Sequence, residues 1–319
     1  MKKLKIGYRT IKTAIGTPVA IFLAQLLQLE NYISAGILTI LCIKPTRKKS
    51  VLHAWYRLSA CFIGMGFSFV IFETIGYHPI AIGLLLLLYI PVTVKFKITE
   101  GIVTSSVIIL HLYGSNGITL DLLINESVLI IVGLGTALLF NLYMPSLENE
   151  LKLLQQKIEK NFTTILEEMG NFLQKGEDTW SGVELTETAD LLEKAKGISY
   201  RDIENHLLRN HHPYYHYFQM RTKQFEILER MLALVSRIST VNRQSKKMSA
   251  FLYELADGVH PGNTAILYLN KLKEMRLEYE EEPLPKTRED FETRANLFTL
   301  LNELEQYLII NSTFKKSDI

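Results

Sequence analysis

CIKPTRKKSVLHAWYRLSACFIGMG, residues 42–66, joins two apolar runs through a basic turn. The first run ends at Ile43, the cations Lys44, Arg47, Lys48 and Lys49 follow, and the second run begins at Ala54 with Arg57 just inside it. Cationic loops stay on the cytoplasmic side during insertion. The stretch therefore reads as a cytoplasmic hairpin between two membrane helices, and it sets the direction of every other crossing. Arg57 is a separate matter, because a guanidinium within reach of hydrocarbon is costly unless it snorkels, pairs or faces a polar cavity.

Outward from this hairpin the 319-residue chain is lopsided. Residues 1–145 hold 12 Lys and Arg against 5 Asp and Glu, whereas residues 146–319 hold 23 against 28, so a net charge of +2 hides a basic half and an acidic half. Long apolar runs occur only in the first. The expected organisation is all-α: a transmembrane domain with six spans over 1–145, then a cytoplasmic antiparallel helical bundle over 146–319. Cys42 and Cys61 fall in apolar runs without ligand-like spacing and read as buried thiols.

The six expected spans are 13–29, 32–43, 54–75, 80–94, 98–114 and 127–144. The basic lead before the first, Lys2 to Lys12, is read as cytoplasmic and the first helix as retained. All basic residues of this half then lie on or near the inner side, while the outer turns carry only Glu30, Asp121 and Glu126. Both termini are expected in the cytoplasm of a cell-membrane protein. Gly16, Ala20 and Ala24, Ala60, Gly64 and Ser68, and Gly133 and Ala137 repeat at four-residue spacing, which gives faces where helices approach closely and a route to homo-oligomers. The second span, about twelve residues or roughly 18 Å, is too short to cross alone. It pairs with the polar fifth span if the domain is an inverted three-plus-three repeat. Such pairs mark central sites in transporters, and the alternative is a short helix packed behind longer ones.

Beyond Pro145, Leu147, Leu151, Leu154, Ile158, Phe162, Ile165, Met169 and Phe172 recur at helical spacing, and Gly176 ends the run. Further helices are expected over 184–209, 213–241, 246–259, 263–280 and 288–310. The run His211-His-Pro-Tyr-Tyr-His-Tyr-Phe218 is an aromatic helix start rather than a metal site, since it offers no third ligand at metal-like spacing. No phosphate-binding glycine loop, basic stripe or nucleophile–base arrangement stands out. Cofactors, metals, nucleic acid and enzymatic activity are not expected.

Ile11-Lys-Thr-Ala-Ile-Gly16, Pro45-Thr46 and Arg57-Leu-Ser-Ala-Cys-Phe-Ile-Gly64 resemble the aromatic acid exporter family, which is related to the fusaric acid resistance proteins. The family pattern at the third helix is Arg-x-x-Gly-Thr-x-x-Gly. Ala60 and Cys61 stand at its middle pair here, while Arg57 and Gly64 match. The resemblance covers most of the chain, because one bacterial branch carries a soluble helical carboxy-terminal domain of this size. It implies an oligomeric inner-membrane protein associated with efflux of aromatic carboxylic acids, and it supplies no catalytic signature.

Two functions follow as expectations. In a proton-driven exporter, Arg57 attracts an anionic carboxylate at the inner mouth and Trp55 and Tyr56 contact its ring. Glu73, Glu100 and His111 are the candidates for proton coupling. The bland alternatives are that Arg57 snorkels as a topology anchor and that Glu73 and Glu100 are solvated at span ends. In the other class, a non-transporting membrane scaffold, the bundle docks a cytoplasmic partner.

Overall fold

The structure, a computed structural model, describes residues 7–176, 180–206, 212–238, 240–259 and 265–313. These residues form twelve α-helices and one short 3-10 turn, with no strand among them. The chain folds as two compact units whose main boundary falls between Pro145 and Ser146.

The first unit contains α1 (Tyr8–Leu26), α2 (Ile33–Cys42), α3 (Arg47–Ile75), α4 (Pro79–Lys95), the 3-10 turn Thr99–Gly101, α5 (Ile102–Gly114) and α6 (Leu120–Leu142). Two packing groups result. Helices α1, α2 and α6 pack on one another, and α3 packs on α4, α5 and α6. The small residues lie where the sequence pattern points: Gly16, Ala20 and Ala24 of α1 are buried, as are Ala60, Gly64 and Ser68 of α3. At Gly133 the approach is close enough that a Cβ would stand 2.6 Å from the Leu38 Cβ. There Thr39 Oγ1 donates to the Gly133 carbonyl at 3.0 Å, which ties α2 to α6. Small side chains thus replace the hydrophobic effect as the means of bringing helices together, as a lipid environment demands.

Among the described residues, α3 and α6 are the two helices long and apolar enough to cross a membrane, and α2 and α4 are shorter apolar helices. The side-chain distribution of the unit is inverted relative to a water-soluble core. Phe22, Leu87, Ile131 and Leu139 are exposed, whereas Arg57, Thr104, Glu126 and Asn141 are buried.

Three sequence expectations are corrected. The cations Arg47, Lys48 and Lys49 are not part of a turn but open α3, because Thr46 takes the extended N-cap conformation and Arg and Lys are good helix formers. Arg57 therefore sits ten residues into its helix rather than at its edge. The expected fifth span is interrupted, with the 3-10 turn preceding α5. Finally, Glu126 is not in an outer turn. Thr119 caps α6 by accepting from the Leu122 N–H at 3.2 Å, so Glu126 lies two turns inside the helix and is fully buried.

The second unit contains α7 (Glu148–Lys175), α8 (Val183–Asn205), α9 (Pro213–Val235), α10 (Arg243–Asp257), α11 (Ala265–Glu281) and α12 (Arg288–Thr313). Helix α7 has Glu148 and Glu150 in its first turn and Lys175 in its last, which complements the helix dipole. Gly176, at φ +74°, supplies the left-handed residue that stops it. Pro213 opens α9, and Asn242 and Ser245 form a capping box at α10. Leu151, Leu154, Ile158, Phe162, Ile165 and Met169 line one face of α7 and are buried in a core shared with the other helices. Within that core Arg221 donates to the Tyr217 hydroxyl at 3.0 Å and to Gln224 Oε1 at 3.0 Å. Gln224 in turn donates to the Tyr307 carbonyl at 3.1 Å, and Tyr217 donates to Glu159 at 2.5 Å. A buried guanidinium satisfied from α7, α9 and α12 fixes their relative register.

Candidate functional site

Arg57 is 4% exposed and points into the first unit between α3, the 3-10 turn and α5. Its Nη1 donates to Thr104 Oγ1 on α5, and its Nη2 lies 3.9 Å from Glu100 Oε2. The same carboxylate oxygen has His53 Nδ1 at 3.3 Å and Lys44 Nζ at 4.0 Å. Three basic groups thus converge on one acid. A guanidinium carries five N–H donors, and Arg57 Nε is buried without an acceptor among the described residues. The cluster has donors and positive charge to spare, which is the make-up of an anion-binding site.

What seats Glu100 there is the residue after it. Gly101 packs against the backbone of α3, and a Cβ at this position would stand 2.8 Å from the Tyr56 carbonyl oxygen and 3.2 Å from the Arg57 Cα. Any larger residue pushes the 3-10 turn off α3.

The other residues singled out in the sequence are divided among different places. Tyr56 stands beside the cluster, and its ring meets that of His53 edge-on at 6.2 Å. Trp55 is 63% exposed, on another side of α3, and is not brought to the guanidinium. Glu73 lies at the far end of α3, exposed, where it accepts from the Tyr77 hydroxyl at 2.7 Å and the Ile118 N–H at 3.0 Å. His111, in the last turn of α5, has Ser34 Oγ at 3.0 Å from Nε2 and Glu126 Oε2 at 3.0 Å from Nδ1.

Two further features escaped the sequence. Lys12 is buried and donates to Asn141 Oδ1 at 3.4 Å, while Asn141 donates to Ser50 Oγ at 2.6 Å, a polar chain from α1 through α6 to α3. Beside Lys12 an open cavity of about 480 Å³ is lined by the rings of Tyr8, Phe140 and Tyr143. These residues are far apart in sequence and none forms a local motif. Among the described residues, no three His, Cys, Asp or Glu side chains are placed to hold a metal ion. Of the aromatic helix start, His211 lies outside the described residues, His212 precedes α9 and His216 is exposed.

A helical unit that turns apolar side chains outward and buries Lys12, Arg57 and Glu126 inside is built as membrane proteins are. The chain belongs to the aromatic acid exporter family: residues 4–144 match the model described as "Aromatic acid exporter family member 1" and residues 148–312 match the "Putative aromatic acid exporter C-terminal domain". Among its relatives is "Uncharacterized protein YqjA" of Bacillus subtilis (strain 168), 56% identical over 311 residues, which span 98% of this chain and 97% of the relative. A second is "UPF0421 protein YgaE" of the same organism, 30% identical over 158 residues, 49% of this chain and 44% of the relative. A solved structure titled "Crystal structure of putative membrane protein from Clostridium difficile 630" is 24% identical and covers 53% of this chain and 98% of its own, with a TM-score of 0.46.

Proposed function

We propose that this chain is a cell-membrane exporter of aromatic carboxylates or similar organic anions, driven by protons and assembled as a homo-oligomer, with six crossings and both termini in the cytoplasm. The observation that carries it is Arg57: a guanidinium buried ten residues inside α3, with an unsatisfied Nε and only Glu100 shared with Lys44 and His53 to offset its charge. A purely anchoring arginine would extend to the headgroups. This one points inward and keeps donors free for a planar two-oxygen ligand. The ring of such a ligand has Tyr56 at hand, and Trp55, on another side of α3, serves the bilayer or a neighbouring subunit.

The outward apolar surface fits lipid contact, and the shortness of α2 is accommodated because it packs against α1 and α6. The small residues of α1, α3 and α6 are used up inside the subunit, so a second copy meets the outward apolar side chains instead and supplies the closure that six spans lack on their own. Of the proton-coupling candidates, His111 has a buried acid partner, Glu100 is tied to the anion cluster, and Glu73 is exposed. Uptake of ring-labelled 4-hydroxybenzoate into inside-out vesicles, with and without an imposed proton gradient, tests the proposal. Accumulation that needs both the chain and the gradient is expected. Equal uptake in vesicles lacking the chain would overturn it and favour the scaffold alternative.

A further inference from the structure

We propose that His111, Glu126 and Ser34 form one proton-binding unit, and that this unit carries the proton exchanged for the exported anion; that use rests on the export function proposed above, whereas the proton binding does not.

Glu126 is 0% exposed in a helix whose neighbours are apolar. An isolated carboxylate there would be costly, and the acid is retained with an imidazole at 3.0 Å. The pair is electrically neutral with one exchangeable proton, whether that proton sits on the ring or on the carboxyl. When the proton leaves, the carboxylate remains beside a neutral ring whose Nδ1–H still donates to it. The amides of Asn31 and Asn125, each 3.5 Å from Oε1, are further donors to the charged form.

Ser34 makes the exchange possible without rearrangement. A hydroxyl both donates and accepts, so it donates to Nε2 of the neutral ring and accepts from Nε2–H of the imidazolium. Three helices, α2, α5 and α6, each contribute one member. The surroundings hold few competitors: α2 presents only Ser34, the α1–α2 turn Asn31, α3 the thiol of Cys61, and α6 itself Asn125. Among the described residues no Lys or Arg lies within ion-pair distance of Glu126, and no second carboxylate lies within that distance of His111. The sequence hides this unit because its members are 77 and 15 residues apart.

The test uses the full chain in liposomes, with a pH dye inside and 4-hydroxybenzoate as the probe. Glu126→Gln and His111→Gln should each reduce substrate-driven proton movement by about tenfold or more, the size of a typical coupling, while labelled 4-hydroxybenzoate still exchanges for unlabelled. Coupling that survives in both variants would overturn the proposal. If the wild-type chain moves no 4-hydroxybenzoate, or if the variants lose exchange as well, nitrogen NMR of histidine-labelled wild-type chain decides. A His111 ring that changes protonation or tautomer between about pH 5 and pH 8, and whose transition moves in Ser34→Ala, supports the unit; a ring that keeps one protonation state and one tautomer throughout overturns it.

Discussion

Gly101 meets Ala60 so closely that a methyl group on the glycine would overlap the alanine side chain. The 3-10 turn carrying Glu100 is therefore held on α3 by the absence of an atom, and Arg57, Glu100 and Thr104 depend on that contact for their mutual placement. Gly101→Ala should destabilise the chain by about 1–3 kcal/mol, the usual range for overpacking, and Gly101→Val by more. Adding Ala60→Gly should recover part of the loss, but not all, since the Tyr56 carbonyl is backbone and stays in place. Thermal melts of the detergent-solubilised chain measure both; additive losses in the double variant would mean that the two residues do not meet.

Arg57→Lys keeps the charge and loses the fork. The ammonium cannot reach Thr104 and a planar anion in the way the guanidinium does, and charge-assisted hydrogen bonds are each worth about 1.5–3 kcal/mol. Export by the proposed transporter should fall roughly ten- to a hundredfold at matched protein level. Arg57→Gln should fall at least as far. Unchanged export in both variants would return Arg57 to an anchoring role.

Reporter fusions give the orientation. Those after Glu30, Gly76 and Asn116 should behave as external, and those after Lys48, Lys97 and Leu147 as cytoplasmic, because the basic residues of the first unit gather on one side in the six-span layout. An external signal after Lys48 would break the layout at its most strongly charged point.

Burial pushes the phenols of Tyr217, Tyr279 and Tyr307 above the usual tyrosine range. A raised value means that the folded state keeps its proton after the unfolded state has lost it. The stability these groups contribute is present below about pH 10 and is lost as pH rises above it. Residues 146–319, expressed alone, should fold as a helical domain and unfold at progressively lower denaturant concentration above that pH. Tyr279→Phe should flatten the dependence. A slope untouched by the substitution would show that Tyr279 titrates alike in both states.

Much of this was written in local pattern. The period of α7, the glycine that stops it, Pro213 at the start of α9 and the small-residue faces of α1 and α3 depend on neighbours within one or two turns, so spacing revealed them. The basic stretch misled because four cations beside Pro45 look like a turn, whereas Thr46 already sets the backbone for a helix. Glu126 misled for a related reason: next to Asn125 and before an apolar run it resembles a loop acid, and only the cap at Thr119 shows that the helix has begun. Arg57 and Glu100 were each visible as charges out of place. Their pairing, and that of His111 with Glu126, was not, because contacts between helices leave no spacing in the chain.

Helix α5 has one further property. Thr104 and His111, which belong to the two polar clusters, are separated along it by roughly 10 Å of helical rise. Between them Ile108 joins Cys61, Met65, Leu129 and Ile130 in one buried apolar cluster. In a bilayer such a layer behaves as a thin insulator. The membrane voltage would fall mainly across it, and a bare ion would meet a steep dielectric barrier in either direction. In the exporter proposed above, leak of protons or anions would thereby be suppressed, and a charge would pass only when the layer opens or when its partner cancels it.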